Sequence, residues 1–271
     1  MSKAREGQSR ALPWVSSVII LALVLGAWQF AVSVMRVSPF IIPSPHSVWT
    51  SLSTMLGFGS GGTGAGGGSA WSDIRTTLVE VVVGFVIALV LGIAVGAVLG
   101  RVRWLERALQ PTLVAFQVVP KVAFVPIMVI WFGFGMNSKI IIAAILAFFP
   151  IMLNVLLGVR SVDTGHRDVM RSLGATRWAT FRSLELPSML PYVFAGAEVA
   201  IVFSVIGAIV GEYLGGSTGL GYRVVSSLNA LDAPGLFAVI IVLAVIGSLL
   251  FAVVSSLKRF LIPWHDSVSG I

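Results

Sequence analysis

Residues 160–187, RSVDTGHRDVMRSLGATRWATFRSLELP, separate two apolar runs at 139–159 and 189–211. Each run approaches or exceeds the roughly 20 residues that a helix rising 1.5 Å per residue needs to cross a hydrocarbon core ~30 Å thick. The basic, amphipathic stretch between them is longer than an ordinary helix-to-helix connection, which points to a functional loop. Val169, Met170 and Leu173 share one face of a short helix, and Trp178, Phe181 and Leu184 share one face of a second at three-residue spacing. Gly174 falls between the two, where a residue free to take positive φ ends the first helix, and Thr176 is placed to cap the second. Pro187 disfavours helical geometry at Leu186 and marks the entry to the next span. The segment therefore reads as a helix-turn-helix knob tied to a membrane helix.

Outward from this loop, apolar runs recur at 13–35, 76–100, 111–135 and 234–257, giving six candidate spans and an all-α integral membrane fold. Of the 271 residues 57% are hydrophobic and 11% charged, where a soluble domain carries charge on about a quarter. The first run is longer than a signal-peptide core and shows no small-residue cleavage pattern, so it reads as a retained span. An even number of spans puts both termini on one side, and basic residues are retained in the cytoplasm. With the termini inside, thirteen of the eighteen lysines and arginines are cytoplasmic. Arg36, Arg75, Lys139 and Arg223 fall outside, and Lys121 lies within the third span. This divides the chain into a cytoplasmic segment 1–12, a first span 13–35, an external segment 36–75, a five-helix core 76–257 holding the loop 160–187, and a cytoplasmic tail 258–271.

Several function classes are excluded by what the sequence lacks. The net charge of +7 follows the loops and is not clustered with aromatic residues as a nucleic-acid surface requires, so no nucleic-acid partner is expected. With no cysteine there is no disulfide framework, thiolate nucleophile or thiolate metal ligand. Residues 57–70, GFGSGGTGAGGGSA, read as a flexible tether with eight glycines in fourteen positions. No Gly-Lys pair occurs anywhere, so that tether is not a P-loop, and any ATP chemistry must come from a partner. His46, His166 and His265 accompany neither a nucleophile motif nor a metal-ligand spacing. No catalytic residue, cofactor or metal site is expected in this chain.

The spacing Asp168-Val169-Met170, three residues, Gly174, nine residues, Leu184-Glu185-Leu186-Pro187 resembles the EAA loop of binding-protein-dependent ABC importer permeases. Asp168 stands for the family's glutamate, and Val169 and Met170 replace its two alanines. Ile42-Pro43-Ser44-Pro45, Pro120-Lys121-Val122-Ala123, Trp131-Phe132-Gly133-Phe134-Gly135 and Gly219-Leu220-Gly221-Tyr222 extend the resemblance to the branch for nitrate, taurine, sulfonates, thiamine pyrimidine precursors and riboflavin-like compounds. The resemblance implies a type I importer permease in a bacterial cytoplasmic (inner) membrane. It implies as partners cytoplasmic ATPase subunits carrying ATP–Mg, a second permease copy and an extracytoplasmic binding protein, with the bilayer as solvent. Asp168, Val169, Met170, Leu173, Gly174, Ala175, Leu184, Leu186 and Pro187 are then the ATPase-coupling residues.

Polar groups within spans are candidates for a translocation path. Lys121, between Pro120 and Pro126 where the helix is expected to break, either favours an anionic substrate, pairs with Glu198 or reaches an interface. Glu198 is flanked by Gly196, Ala197 and Ala200 and should face protein. Asn154 and Ser204 either line the passage or satisfy neighbouring backbone. Glu80 and Glu212 lie near outer span ends, where a solvated or hydrogen-bonded carboxylate is cheap. Gly84, Gly92, Gly96 and Gly100 read as a helix-packing stripe. The competing class is a secondary transporter or channel using Lys121 and Glu198 without ATP, which leaves the glycine-centred loop without a purpose.

Overall fold

The computed structural model describes residues 19–20, 22–34, 38, 40–58 and 70–263, most of them helical and none in a strand. The expected N-terminal segment 1–12, the opening of the first span, nearly all of the glycine tether and the end of the tail lie outside the described residues. The chain divides into two compact units, one drawn from residues up to Ala70 together with Val224–Ile241, the other from Trp71–Arg223 and Val242 onward.

In the first unit α1 covers Ala22–Val34 and α2 covers Pro45–Met55. The Ser44 hydroxyl accepts from the Ser47 amide at 3.2 Å, and Pro45 occupies a first-turn position whose amide needs no partner. Ile42-Pro43-Ser44-Pro45 is therefore a helix start, and a helix stands where only an external connection was expected. The Trp28 indole donates to the Pro43 carbonyl at 3.0 Å, and its ring lies 6.0 Å from that of Phe237.

The second unit is built on α3 (Ala70–Arg101), α6 (Met136–Arg160) and α9 (Leu186–Gly215). Ala147, Ile151 and Val155 of α6 are wholly buried beside Ala88 of α3 and Ala200 of α9. Small residues set this packing, because lipid offers no hydrophobic drive between helices and backbones must approach closely. A Cβ added to Gly96 would lie 2.5 Å from the Met152 carbonyl, and one on Gly207 would lie 2.7 Å from the Ala143 Cα. The stripe Gly84, Gly92, Gly96 and Gly100 faces α6 throughout, as expected. Val254 of α11 (Ala233–Leu261) joins Val81, Ala197 and Ile201 in a second core cluster.

Among the described residues, four helical stretches are long and apolar enough to cross a membrane: Ala70–Arg101, Met136–Arg160, Arg177–Gly215 and Ala233–Leu261. The expected third span, 111–135, is not one straight helix. α4 (Arg103–Val118) ends at an extended Val119, forced by Pro120, and the chain resumes 84° away in a 3₁₀ turn, Lys121–Phe124, running into α5 (Val125–Phe132). The break expected around Lys121 is there, and it is severe enough that α5, about 12 Å long, cannot cross alone. Its Val125, Met128 and Val129 pack on Ile142 and Leu146 of α6 instead.

The loop between α6 and α9 forms α7 (Thr164–Ser172) and α8 (Arg177–Thr180). One expectation is overturned here. Leu186 is helical, with φ −62° and ψ −50°, and the path from Arg177 to Gly215 is unbroken for 39 residues. A π turn at Phe181–Glu185 absorbs the proline: the Leu186 amide reaches back five residues to the Phe181 carbonyl, so the chain passes Pro187 without leaving the helix. The second short helix is thus the first turn of the membrane helix itself.

Candidate functional site

The loop's turn is built as its residues dictate. Gly174 takes φ +70°, its amide bonds the Arg171 carbonyl at 3.0 Å, and the Ala175 amide bonds the Met170 carbonyl at 3.0 Å. This is the Schellman arrangement that closes a helix through a left-handed residue. Nothing lies within 4 Å of a Cβ added to Gly174, so backbone conformation alone selects glycine. Thr176 caps α8 by accepting from the Ala179 amide at 3.2 Å, and Asp163, which sequence reading passed over, caps α7 by accepting from the Gly165 amide at 2.7 Å.

The loop's apolar residues divide into two sets. Val169, Leu173 and Trp178 are 56%, 75% and 66% exposed, while Phe181 and Leu186 pack against the core formed by Val159, Met189 and Val193. Trp178 and Phe181 therefore do not share a buried face, although their rings touch at 5.6 Å. Asp168 pairs with Arg171 at 3.1 Å on an exposed face, where such a pair contributes little. Met170, Ala175, Leu184 and Pro187 are half-buried.

Glu185, part of the quoted motif but not singled out, joins three elements. It accepts from Arg101 of α3 at 2.7 Å and faces Arg167 of α7 at 3.5 Å. Arg101 also lies 5.0 Å over the Phe181 ring. Arg160 at the end of α6 pairs with Glu106 of α4. The knob is thereby braced to α3 while its own chain becomes α9.

The four pathway candidates do not converge. Lys121 is half-buried and pairs with no carboxylate among the described residues: its Nζ donates to the Gln117 carbonyl at 3.4 Å and sits 5.0 Å over the Phe149 ring. The expected alternative, a Lys121–Glu198 pair, is corrected, because Glu198 of α9 pairs with Lys258 of α11 at 3.3 Å. Asn154 donates to the Pro150 carbonyl at 2.8 Å within α6, and buried Ser204 donates to the Val81 carbonyl at 2.8 Å, tying α9 to α3.

At the other end of α3 and α9 lies a buried polar cluster that sequence reading missed. Glu80 and Glu212 are 0% and 1% exposed and Lys139 is 2% exposed, so of the two states expected for the span-end carboxylates, solvated or hydrogen-bonded, the solvated one is ruled out. Lys139 faces Glu80 at 3.5 Å, while both Glu80 oxygens lack a hydrogen-bond donor among the described residues. Thr77 donates to Glu212 at 2.6 Å and accepts from the Leu220 amide at 3.0 Å. The Gly221 amide donates to Glu212 at 2.6 Å, the Gly219 amide to Asp73 at 2.9 Å, and Arg223 also donates to Asp73. Gly219-Leu220-Gly221 is thus the N-terminus of α10 (Leu220–Asn229) held by carboxylates of α3 and α9, where an anion is favoured. Both glycines are required: Gly219 has φ +100°, and Cβ atoms there and on Gly221 would fall 2.0 Å from the Glu212 Oε1 and 2.4 Å from the Ile209 carbonyl. Asp73, Thr77 and Glu80, spaced along one helical face, were the available signal.

Comparison with known proteins places this architecture. The family described as binding-protein-dependent transport system inner membrane component matches residues 88–265. The riboflavin transport system permease protein RibX of Chloroflexus aurantiacus is 36% identical over 269 residues, covering 98% of this chain and 96% of that one. The putative aliphatic sulfonates permease SsuC of Escherichia coli is 32% identical (95% and 93% covered), and the taurine permease TauC of the same organism 30% (96% of each). A chain of the MetNI methionine ABC transporter, solved in inward-facing conformations, has a TM-score of 0.59 at 22% identity over 68% of this chain and 92% of its own, a likeness of fold. With that family matched across most of its length and a relative aligned end to end, this chain belongs to the binding-protein-dependent inner-membrane components, the integral-membrane permease subunits of ABC importers.

Proposed function

We propose that the chain carries a small solute of the nitrate, sulfonate/taurine or pyrimidine/vitamin-precursor class, delivered by an external binding protein. The riboflavin, formylaminopyrimidine, sulfonate, taurine and nitrate permeases it resembles support that range. In this reading it sits in a bacterial inner membrane with both termini and the loop 160–187 in the cytoplasm. Two copies meet around a passage, and two ATPase subunits dock beneath, holding the ATP–Mg that this chain does not bind.

The observation that carries the reading is the knob. Val169, Leu173 and Trp178 face solvent on capped helices rimmed by Arg171, Arg177 and Arg182, which suits insertion into a groove on a partner. Asp168, Val169, Met170, Leu173, Gly174 and Ala175 form the docking surface. Leu184, Leu186 and Pro187 transmit its motion, because the helix that starts at Arg177 runs about 58 Å to Gly215 without a break. ATP-driven closure of the ATPases draws two knobs together, and the lever turns the passage outward. Of the pathway candidates, Lys121 is retained as the substrate-facing group, since it stands at the helix break with no carboxylate partner among the described residues.

Leu173→Asp tests the reading, because it places a charge on the knob without touching the core. Purified in mild detergent, the native chain brings down a P-loop ATPase in equal amount, whereas the variant inserts normally and brings down none. Retention of the ATPase by the variant overturns the assignment of the knob. Transport by the native chain with no ATPase present overturns the importer reading as a whole.

A further inference from the structure

Two hollows lie along α3, α4 and α6. The first, about 560 Å³, is walled by Arg101, Arg103, Arg107, Arg160 and Arg167 against two carboxylates, Glu106 and Glu185. Both carboxylates are engaged, Glu106 by Arg160 and Glu185 by Arg101 and Arg167. Arg103 and Arg107 have no ion-pair or hydrogen-bond partner among the described residues, and the Arg167 Nε is buried without an acceptor. This wall holds more cation than the chain neutralises, and guanidinium forks match the oxygens of a phosphate.

The second hollow, about 240 Å³, is lined by other residues of the same three helices. Its wall is apolar, with Leu99 of α3, Leu109, Leu113 and Phe116 of α4, and Phe148 and Met152 of α6. α4 advances 1.5 Å per residue, so Arg107 to Phe116 spans about 14 Å, close to the ~15 Å depth of one leaflet. No residue of α4 is buried by the chain. The two hollows adjoin on α4, with Arg103 to Gln110 along the first and Leu109 to Phe116 along the second, so a cationic wall runs on into an apolar one on a single helix and matches the two parts of a lipid.

We propose that the two hollows form one binding site for an anionic phospholipid, its phosphate held by Arg103, Arg107 and Arg167 and one acyl chain lying along α4 against Leu113 and Phe148. A zwitterionic headgroup would bring a further cation to an already cationic wall, so the site selects a net negative charge. The headgroup sits beside the Glu185 link between α3, α7 and α9, where it shares Arg167 with that link. The inference requires only that these helices stand in a bilayer, and it holds whichever leaflet they face.

The test is native mass spectrometry of the full chain in detergent, titrated with dioleoylphosphatidylglycerol, dioleoylphosphatidylcholine or inorganic phosphate. The phosphatidylglycerol adduct should form at a concentration roughly tenfold lower than the phosphatidylcholine adduct. Arg103→Gln with Arg107→Gln should erase that preference, and Arg103→Lys with Arg107→Lys should keep most of it. Leu113→Trp, which fills the groove and leaves the arginines in place, should weaken the phosphatidylglycerol adduct. Equal retention of the two lipids, or an unaltered preference in the glutamine variant, overturns the proposal. Displacement of phosphatidylglycerol by millimolar phosphate would reduce the site to one for a free anion. Disulfide-linked dimers of Thr112→Cys formed in native membranes would assign the groove to a second copy of the chain.

Discussion

Glu80 keeps both carboxylate oxygens where neither solvent nor a hydrogen-bond donor among the described residues meets them, with the Lys139 ammonium facing it at 3.5 Å and Glu212 nearby. Removing one partner of such a pair leaves an uncompensated buried charge, which costs about 3–5 kcal/mol, whereas replacing both with apolar residues of similar size is often nearly neutral. Lys139→Met should therefore lower stability by about that amount, and Glu80→Leu with Lys139→Met should recover most of it, as read from unfolding of the purified chain by the fluorescence of its eight tryptophans. A double variant no more stable than the single one would show that the pair does not carry the cost. Two glycines make a second contrast at this scale. Gly174 and Gly219 both have positive φ, which costs alanine about 1–2 kcal/mol. At Gly174 a Cβ meets nothing, whereas at Gly219 it would fall 2.0 Å from a Glu212 oxygen. Gly219→Ala should lower the unfolding midpoint distinctly more than Gly174→Ala, and equal shifts would mean that the cluster yields freely. The positive φ at Gly174 was legible from its place between two amphipathic segments. The role of Gly219 was not, because Glu212 and Asp73 reach it through the fold.

At the scale of elements, the loop is braced, as its proposed role of lever requires. Glu185 holds Arg101 of α3 and Arg167 of α7 while lying in the π turn that leads into α9, so movement of the knob is shared with two membrane helices. Glu185→Ala should leave insertion and ATPase co-purification intact but reduce ATP-driven uptake, roughly tenfold if the lost coupling is about 1.4 kcal/mol. Exchanging the charges with Arg101→Glu and Glu185→Arg should restore part of it. Uptake unaltered in Glu185→Ala would show that the brace is dispensable. Sequence spacing was sufficient for α7, its glycine turn and the Thr176 cap, since each depends on residues within one or two turns. It misled at Leu186, because a proline's preference over its predecessor is local and weak, and a π turn packed through Phe181 and Leu186 on the core overrides it.

For the whole molecule, the proposed orientation puts the knob in the cytoplasm and the α10–α11 turn outside. The native chain has no cysteine, so single thiols can be introduced without background. Leu173→Cys should react with a membrane-impermeant maleimide only after the cells are opened, and Leu231→Cys, at a 74% exposed position, should react in intact cells. The reverse pattern would invert the topology and remove the knob from reach of a cytoplasmic ATPase. Length and apolarity alone determined that this chain is a bundle of membrane helices, since a backbone in hydrocarbon must satisfy its own hydrogen bonds and a helix of about 20 residues does so. Short-range spacing determined the loop, because caps and turns are settled by near neighbours. What only the tertiary structure decided is the pairing of charges: Glu198 with Lys258 and not Lys121, Glu80 with Lys139, and Asp73, Thr77 and Glu212 around Gly219-Leu220-Gly221. These partners stand up to 146 positions apart in the chain, and a buried charge takes whichever counter-charge the packing brings within reach.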